Sequence, residues 1–93
     1  MLILNKSKGP IPEGAVYVGR PSPFGNPYTI GKDGTREEVI QKYRAWFRHQ
    51  LKTSDTFLVI VERLRTAKGL VCWCAPHPCH ADVIVEYLKT GQV

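Results

Sequence analysis

Nine consecutive residues, Cys72-Trp73-Cys74-Ala75-Pro76-His77-Pro78-Cys79-His80, hold all three cysteines of the chain and two of its three histidines. Thiolate and imidazole are ligands that zinc prefers, so Cys72, Cys74, Cys79 and His80 form a candidate metal set. The spacing strains that reading. Cys72-x-Cys74 on a strand is a tight bite, and Cys79 and His80 are adjacent, so both reaching one ion needs an unusual turn. A second reading starts from Pro78, because proline is favoured at the first position of a helix and would place Cys79 and His80 in the opening turn. Unpaired N–H groups and the positive dipole end there stabilise an anion, either the Cys79 thiolate or a bound phosphate. Cys79 and His80 are then the catalytic candidates, with His77 or His80 as general acid or base near a reference pKa of ~6.5, and Asp82 placed to orient His80. The plain alternative makes Cys72 and Cys74 small buried hydrophobes and His80 a helix cap.

A second segment, Arg20-Pro21-Ser22-Pro23-Phe24-Gly25-Asn26-Pro27, cannot be helix or sheet interior, since its three prolines remove donors and push their predecessors toward extended geometry. A rigid loop loses little entropy on binding, and an arginine offers a planar fork of donors, so the loop suits an anion. Gly19, Arg20, Ser22, Asn26 and the more distant Arg36 are the candidate ligand-binding residues. Phe24 is expected to pack under the loop rather than stack on a base. Asp33, Glu37, Glu38, Asp82 and Glu86 give no carboxylate pair that can be placed across a cleft, which leaves a glycosidase mechanism unsupported. A phosphate-binding glycine loop ending in Lys-Ser/Thr, Gly-x-Gly-x-x-Gly and Gly-x-Ser-x-Gly are all absent, which removes the common nucleotide-hydrolysing and dehydrogenase classes.

The elements that must position these segments are legible from pattern. Leu2 to Leu4 reads as a short strand, residues 5–14 as turn chemistry, and Ala15 to Val18 as a buried strand. Thr35-Arg36-Glu37-Glu38 has the capping-box pattern and predicts a helix over 36–51, with Val39, Ile40, Tyr43, Trp46, Phe47 and Leu51 on its apolar face and Arg44, Arg48 and Lys52 beside it. A second helix is expected over 55–66, although Leu58 to Val61 also has strand propensity. Leu70 to Cys74 reads as a strand stopped by Ala75-Pro76, and Val83, Ile84, Tyr87 and Leu88 as a closing helix ending near Gly91. The expected fold is therefore α/β: a small, single-layer, partly parallel sheet with packed helices in the Rossmann-like order strand-loop-helix-helix-strand-loop-helix. A strand joined to another through helices favours a parallel pair with a right-handed crossover. Ligands in such sheets sit beyond the carboxyl ends of the strands, so the 19–27 and 75–80 loops should meet.

With 93 residues, the chain makes one domain, 1–93, with a modest core. No apolar run approaches the ~20 residues that span a bilayer, and Met1 to Lys6 lacks the apolar stretch of a signal peptide, so a cytoplasmic location with no membrane partner is expected. Three cysteines within eight residues cannot make the spread bridges of a secreted domain. The net charge of +5 favours anionic partners, a small molecule or nucleic acid.

Together, Tyr17-Val18-Gly19-Arg20-Pro21-Ser22-Pro23-Phe24-Gly25-Asn26-Pro27, Thr35-Arg36-Glu37-Glu38 and Cys72-Trp73-Cys74-Ala75-Pro76 with Cys79-His80 resemble the small bacterial and phage family known as domain of unknown function 4326, over nearly the whole chain. The resemblance implies that these three segments are the family's shared features and that the setting is phage or bacterial and cytoplasmic. It carries no activity with it. The family's pattern often has Gly after Cys-His where this chain has Ala81. Three functions follow as expectations: a nucleotide or other phosphate-bearing ligand bound, or bound and processed, between the two loops; a zinc-stapled module binding nucleic acid or a host protein; and a phage-type inhibitor of a host factor.

Overall fold

The computed structural model describes residues 1–74 and 77–93. Its elements are β1 (Leu2–Asn5), β2 (Ala15–Tyr17), α1 (Arg36–Thr53), α2 (Asp55–Arg63), β3 (Gly69–Cys72) and α3 (His80–Thr90), with short 3-10 turns at Lys6–Lys8 and Leu64–Thr66. The strands form one sheet in the order β1-β3-β2, with both neighbours parallel to β3. This is the expected α/β class. β3 stops at Cys72, so Trp73 and Cys74 lie beyond the strand, two residues short of the expected end. The stop expected from Ala75-Pro76 lies outside the described residues.

β3 is buried along its whole length, as a central parallel strand covered on both faces must be. Leu70 and Cys72 face the helical core, with Ile3 packed beside them, while Val71, pointing the other way, lies with Leu4 and Ile11 against the returning chain. That returning chain is unusual. β1 and β2 run parallel on opposite sides of β3, so residues 6–14 must travel back the length of the sheet, a task usually given to a helix. Here a 3-10 turn, two glycines at positive φ, Gly9 (143°) and Gly14 (87°), and a turn closed by the Ala15 N–H on the Pro12 carbonyl (3.1 Å) take its place.

α1 begins as its sequence predicts. The Thr35 hydroxyl accepts from the Glu38 N–H at 3.2 Å and the Glu38 carboxylate accepts from the Thr35 N–H at 2.9 Å. The ambiguous Leu58-Val59-Ile60-Val61 stretch is helical, because Ser54 ends α1 and caps α2, accepting from the Phe57 N–H at 3.1 Å. Tyr43, Phe47, Phe57, Val61, Leu70, Val83 and Ile84 form the centre of the core, with Phe47 meeting Phe57 and Tyr87 edge to face. Phe24 joins it and packs against Phe57, as expected for that side chain. Among the described residues, no helix is long and apolar enough to cross a membrane.

Candidate functional site

Beyond the carboxyl ends of β2 and β3 lies a pocket of about 210 Å³. One wall is the 19–27 loop, anchored at three points. The Val18 N–H donates to the Val71 carbonyl (2.9 Å), extending the β2–β3 ladder by one residue. The Asn26 amide donates to the Val39 carbonyl and accepts from the Tyr28 N–H, at 3.3 and 2.9 Å. The buried Tyr43 hydroxyl donates to the Phe24 carbonyl at 2.7 Å. Burial, with the neighbouring Cys79 second, drives the Tyr43 phenol far above its ordinary value, so it remains a donor.

The facing wall comes from the end of β3 and the start of α3. Arg36 on α1 donates to the Pro78 carbonyl at 3.0 Å and so ties this segment to the first turn of α1. Trp73, 56% exposed, donates its indole N–H to the Tyr17 hydroxyl at 2.9 Å, and that hydroxyl donates to the Arg20 carbonyl at 2.6 Å. The 19–27 loop and the described part of the 75–80 segment line this one pocket, the arrangement that parallel topology demands.

The predicted site residues separate on this frame. Gly19, Arg20, Asn26, Arg36, Cys79 and His80 all line the pocket, as does Cys74. Ser22 is not part of its lining: its N–H donates to the Gly19 carbonyl and its hydroxyl accepts from the Phe24 N–H, so it builds the turn. Asn26 lines the pocket with both ends of its amide engaged by the protein, which makes it a brace. Arg20 donates to Thr29 at 3.3 Å. A guanidinium has five N–H donors, so Arg20 and Arg36 each keep donors for an anion after bracing the loops.

Cys79 and His80 part company at the helix start. Pro78 precedes the N-cap instead of occupying the first helical position; Cys79 is the N-cap and His80 the first residue of α3. The Cys79 N–H is taken by the Asp82 carboxylate at 2.9 Å, so Asp82 caps the helix. The Cys79 sulfur lies in the core, 3.3 Å from the Cys72 sulfur. That hydrogen bond, then burial, pushes the Cys79 thiol far above its ordinary range, with only the Ala81 N–H acting the other way. The thiolate expected from the helix dipole is therefore outweighed by desolvation and by the second thiol. None of the three cysteines is in a disulfide.

His80 is 8% exposed. Its Nε2 lies 2.7 Å from the Val18 carbonyl, and its ring meets Tyr43 edge to face. Burial lowers its pKa, outweighing the bond to Val18, and the charge of Arg20 adds to the fall. Among the described residues, no group of three or more His, Cys, Asp and Glu side chains is arranged to hold a metal. The basic stripe on α1 is also largely spent within the protein. Arg44 pairs with Glu86, and Arg48 donates twice to the Val93 carbonyl.

Three lining residues had no signal as ligand groups in the sequence: Tyr17, Tyr28 and Trp73. Tyr17 reads as a strand aromatic and Trp73 as a strand residue between two cysteines. A cue was available in the alternation of side chains, which puts Trp73 on the face opposite Cys72.

A relative is found in Enterobacteria phage T4. It is described as "Uncharacterized 12.4 kDa protein in nrdA-td intergenic region" and is 34% identical over 61 residues, which cover 64% of this chain and 56% of that protein. The chain thus spans just over half the length of the curated relative it matches. No solved structure matches the chain. The profile of the family described as Domain of unknown function (DUF4326) matches residues 3–90, and the chain belongs to that family.

Proposed function

We propose that the pocket binds a small phosphate-bearing ligand of nucleotide scale, with its anion at Arg20 and Arg36 and its ring or sugar against Tyr17, Tyr28 and Trp73. The observation that carries this reading is the convergence of two arginines and an aromatic wall on one cavity at the carboxyl ends of parallel strands. Each guanidinium is held by a bond inside the protein, which reduces the ordering cost of binding an anion. Size narrows the ligand. Its 210 Å³ lies below the roughly 300–1,000 Å³ of pockets that enclose drug-sized molecules. A mononucleotide or sugar phosphate with one end outside suits this space; a dinucleotide does not.

Titration with inorganic phosphate, ribose 5-phosphate and nucleoside 5′-monophosphates, followed by thermal unfolding and Trp fluorescence, tests the proposal. A ligand at a hundred times its Kd adds about 2.7 kcal/mol to stability, a shift of several degrees in Tm for a chain of this length. Arg36→Ala and Arg20→Ala should each remove most of that shift, and Trp73→Phe should remove the fluorescence response. No stabilisation by any of these compounds overturns the reading.

A further inference from the structure

His80 deepens this reading, on which the following inference rests. A backbone carbonyl can only accept, so the 2.7 Å contact with Val18 requires the proton of a neutral His80 to sit on Nε2. Its other nitrogen, Nδ1, is then an unprotonated acceptor with a fixed orientation. Nδ1 has no partner among the described residues, and no sealed side-chain nitrogen or oxygen there lacks one. It is therefore not sealed from solvent, and His80 lines the pocket.

The other polar groups around it favour one kind of ligand. Arg20 and Arg36 only donate, and so does the indole N–H of Trp73. The Asn26 amide oxygen is engaged by Tyr28, and the Tyr17 hydroxyl both accepts and donates within the protein. A ligand whose anion lies at Arg20, close enough for its charge to act on His80, therefore meets an acceptor a short way farther in. A phosphate supplies no donor when ionised, whereas a hydroxyl on the sugar that carries it does. We propose that His80 Nδ1 accepts a hydrogen bond from a ribose hydroxyl of the bound phosphoester, making the pocket selective for ribose phosphates over their deoxy counterparts.

The basis of selectivity is the cost of an unmade bond. A site built to pair with a ligand hydroxyl discriminates strongly against the analogue lacking it, because its buried polar group is left without a partner. Ile30, Val39 and Ile40 line the same cavity and offer no substitute, which leaves the Tyr28 hydroxyl and the Cys74 thiol as the other polar side-chain groups a ligand hydroxyl could meet. The Cys79 thiol, directed into the core against Cys72, does not compete for this role.

The test compares adenosine 5′-monophosphate with its 2′-deoxy and 3′-deoxy forms, alongside ribose 5-phosphate and 2-deoxyribose 5-phosphate, by calorimetric titration of the intact protein at pH 7.5. Loss of one hydroxyl should weaken binding by tenfold or more, and the sugar phosphates show whether the base is needed. His80→Gln, whose amide can donate to Val18 and accept from the ligand, should retain the preference; His80→Phe should bind ribo and deoxy forms alike. Equal binding of ribo and both deoxy forms by the unaltered protein overturns the role of His80 while leaving the phosphate pocket standing. No binding by any compound removes both.

Discussion

Cys79 and His80 are neighbours in the chain and opposites in environment. One turns its sulfur into the core against Cys72, where burial and a second thiol keep it protonated; the other lies beneath the pocket, with one nitrogen fixed by Val18 and the other open. Both are more than nine-tenths buried, so exposure does not separate them. What separates them is the difference between the N-cap, whose backbone is still extended, and the first helical residue, whose side chain leaves in a new direction. At a helix start, a one-residue step turns a side chain from a thiol partner in the core to a ring bonded to the β2 end.

The comparison breaks most severely if the frame common to both residues is removed. Tyr43→Ala empties a fully buried site that touches His80 and anchors the loop through Phe24, and it should cost about 3–5 kcal/mol. Tyr43→Phe removes only the hydroxyl and leaves the Phe24 carbonyl without that donor, for about 1–3 kcal/mol. Both are read by denaturant unfolding.

The thiol side should matter to stability and little to binding. Cys79→Ala is expected to cost roughly 1–2 kcal/mol as a small cavity forms while leaving phosphoester affinity within about twofold. A large loss of affinity in a stably folded Cys79→Ala protein would reassign the site to the thiol. Alkylation sharpens the point: Cys74, half-buried at the pocket, should react with iodoacetamide well before Cys79, which should become reactive only on unfolding.

The smallest effect concerns pH. His80 has a folded-state pKa lowered by burial and by Arg20, despite the opposing Val18 bond and Asp82 charge, with the neutral Tyr43 ring completing its surroundings. The unfolded chain then binds the proton more readily, so this stability is fully present above the ordinary histidine value of ~6.5 and declines as pH falls below it. Thermal unfolding at pH 7.5 and 5.5 should show a lower Tm at the acid pH, and His80→Gln should reduce that difference.

Much of the fold could be read from local pattern because its cues are local. Thr35 and Glu38 announced α1 and the apolar spacing of Val39, Tyr43 and Phe47 marked its buried face, whereas the Ser54 cap that decides α2 against its strand propensity is a cue the sequence reading did not use. The meeting of the 19–27 loop with the α3 start followed from parallel topology alone. The finer site depended on long-range partners that spacing does not encode. Ser22 and Asn26 carry polar groups suited to a ligand, yet their side-chain bonds hold the loop. The dipole argument for Cys79 lacked the sulfur of Cys72, and the α1 arginine stripe lacked Glu86 and the Val93 carbonyl.

Strand order has a further consequence for how the chain acquires this structure. Leu2 and Ala15 both pair with Gly69, so the first two strands never touch each other and each must wait for the third. During synthesis, no part of the sheet can close until β3 has emerged. Every strand pairing is then made across most of the sequence, which favours slow, concerted assembly. The Val18 carbonyl meets His80 in that same late event. A nascent chain halted before Gly69 would therefore lack both the sheet and the pocket.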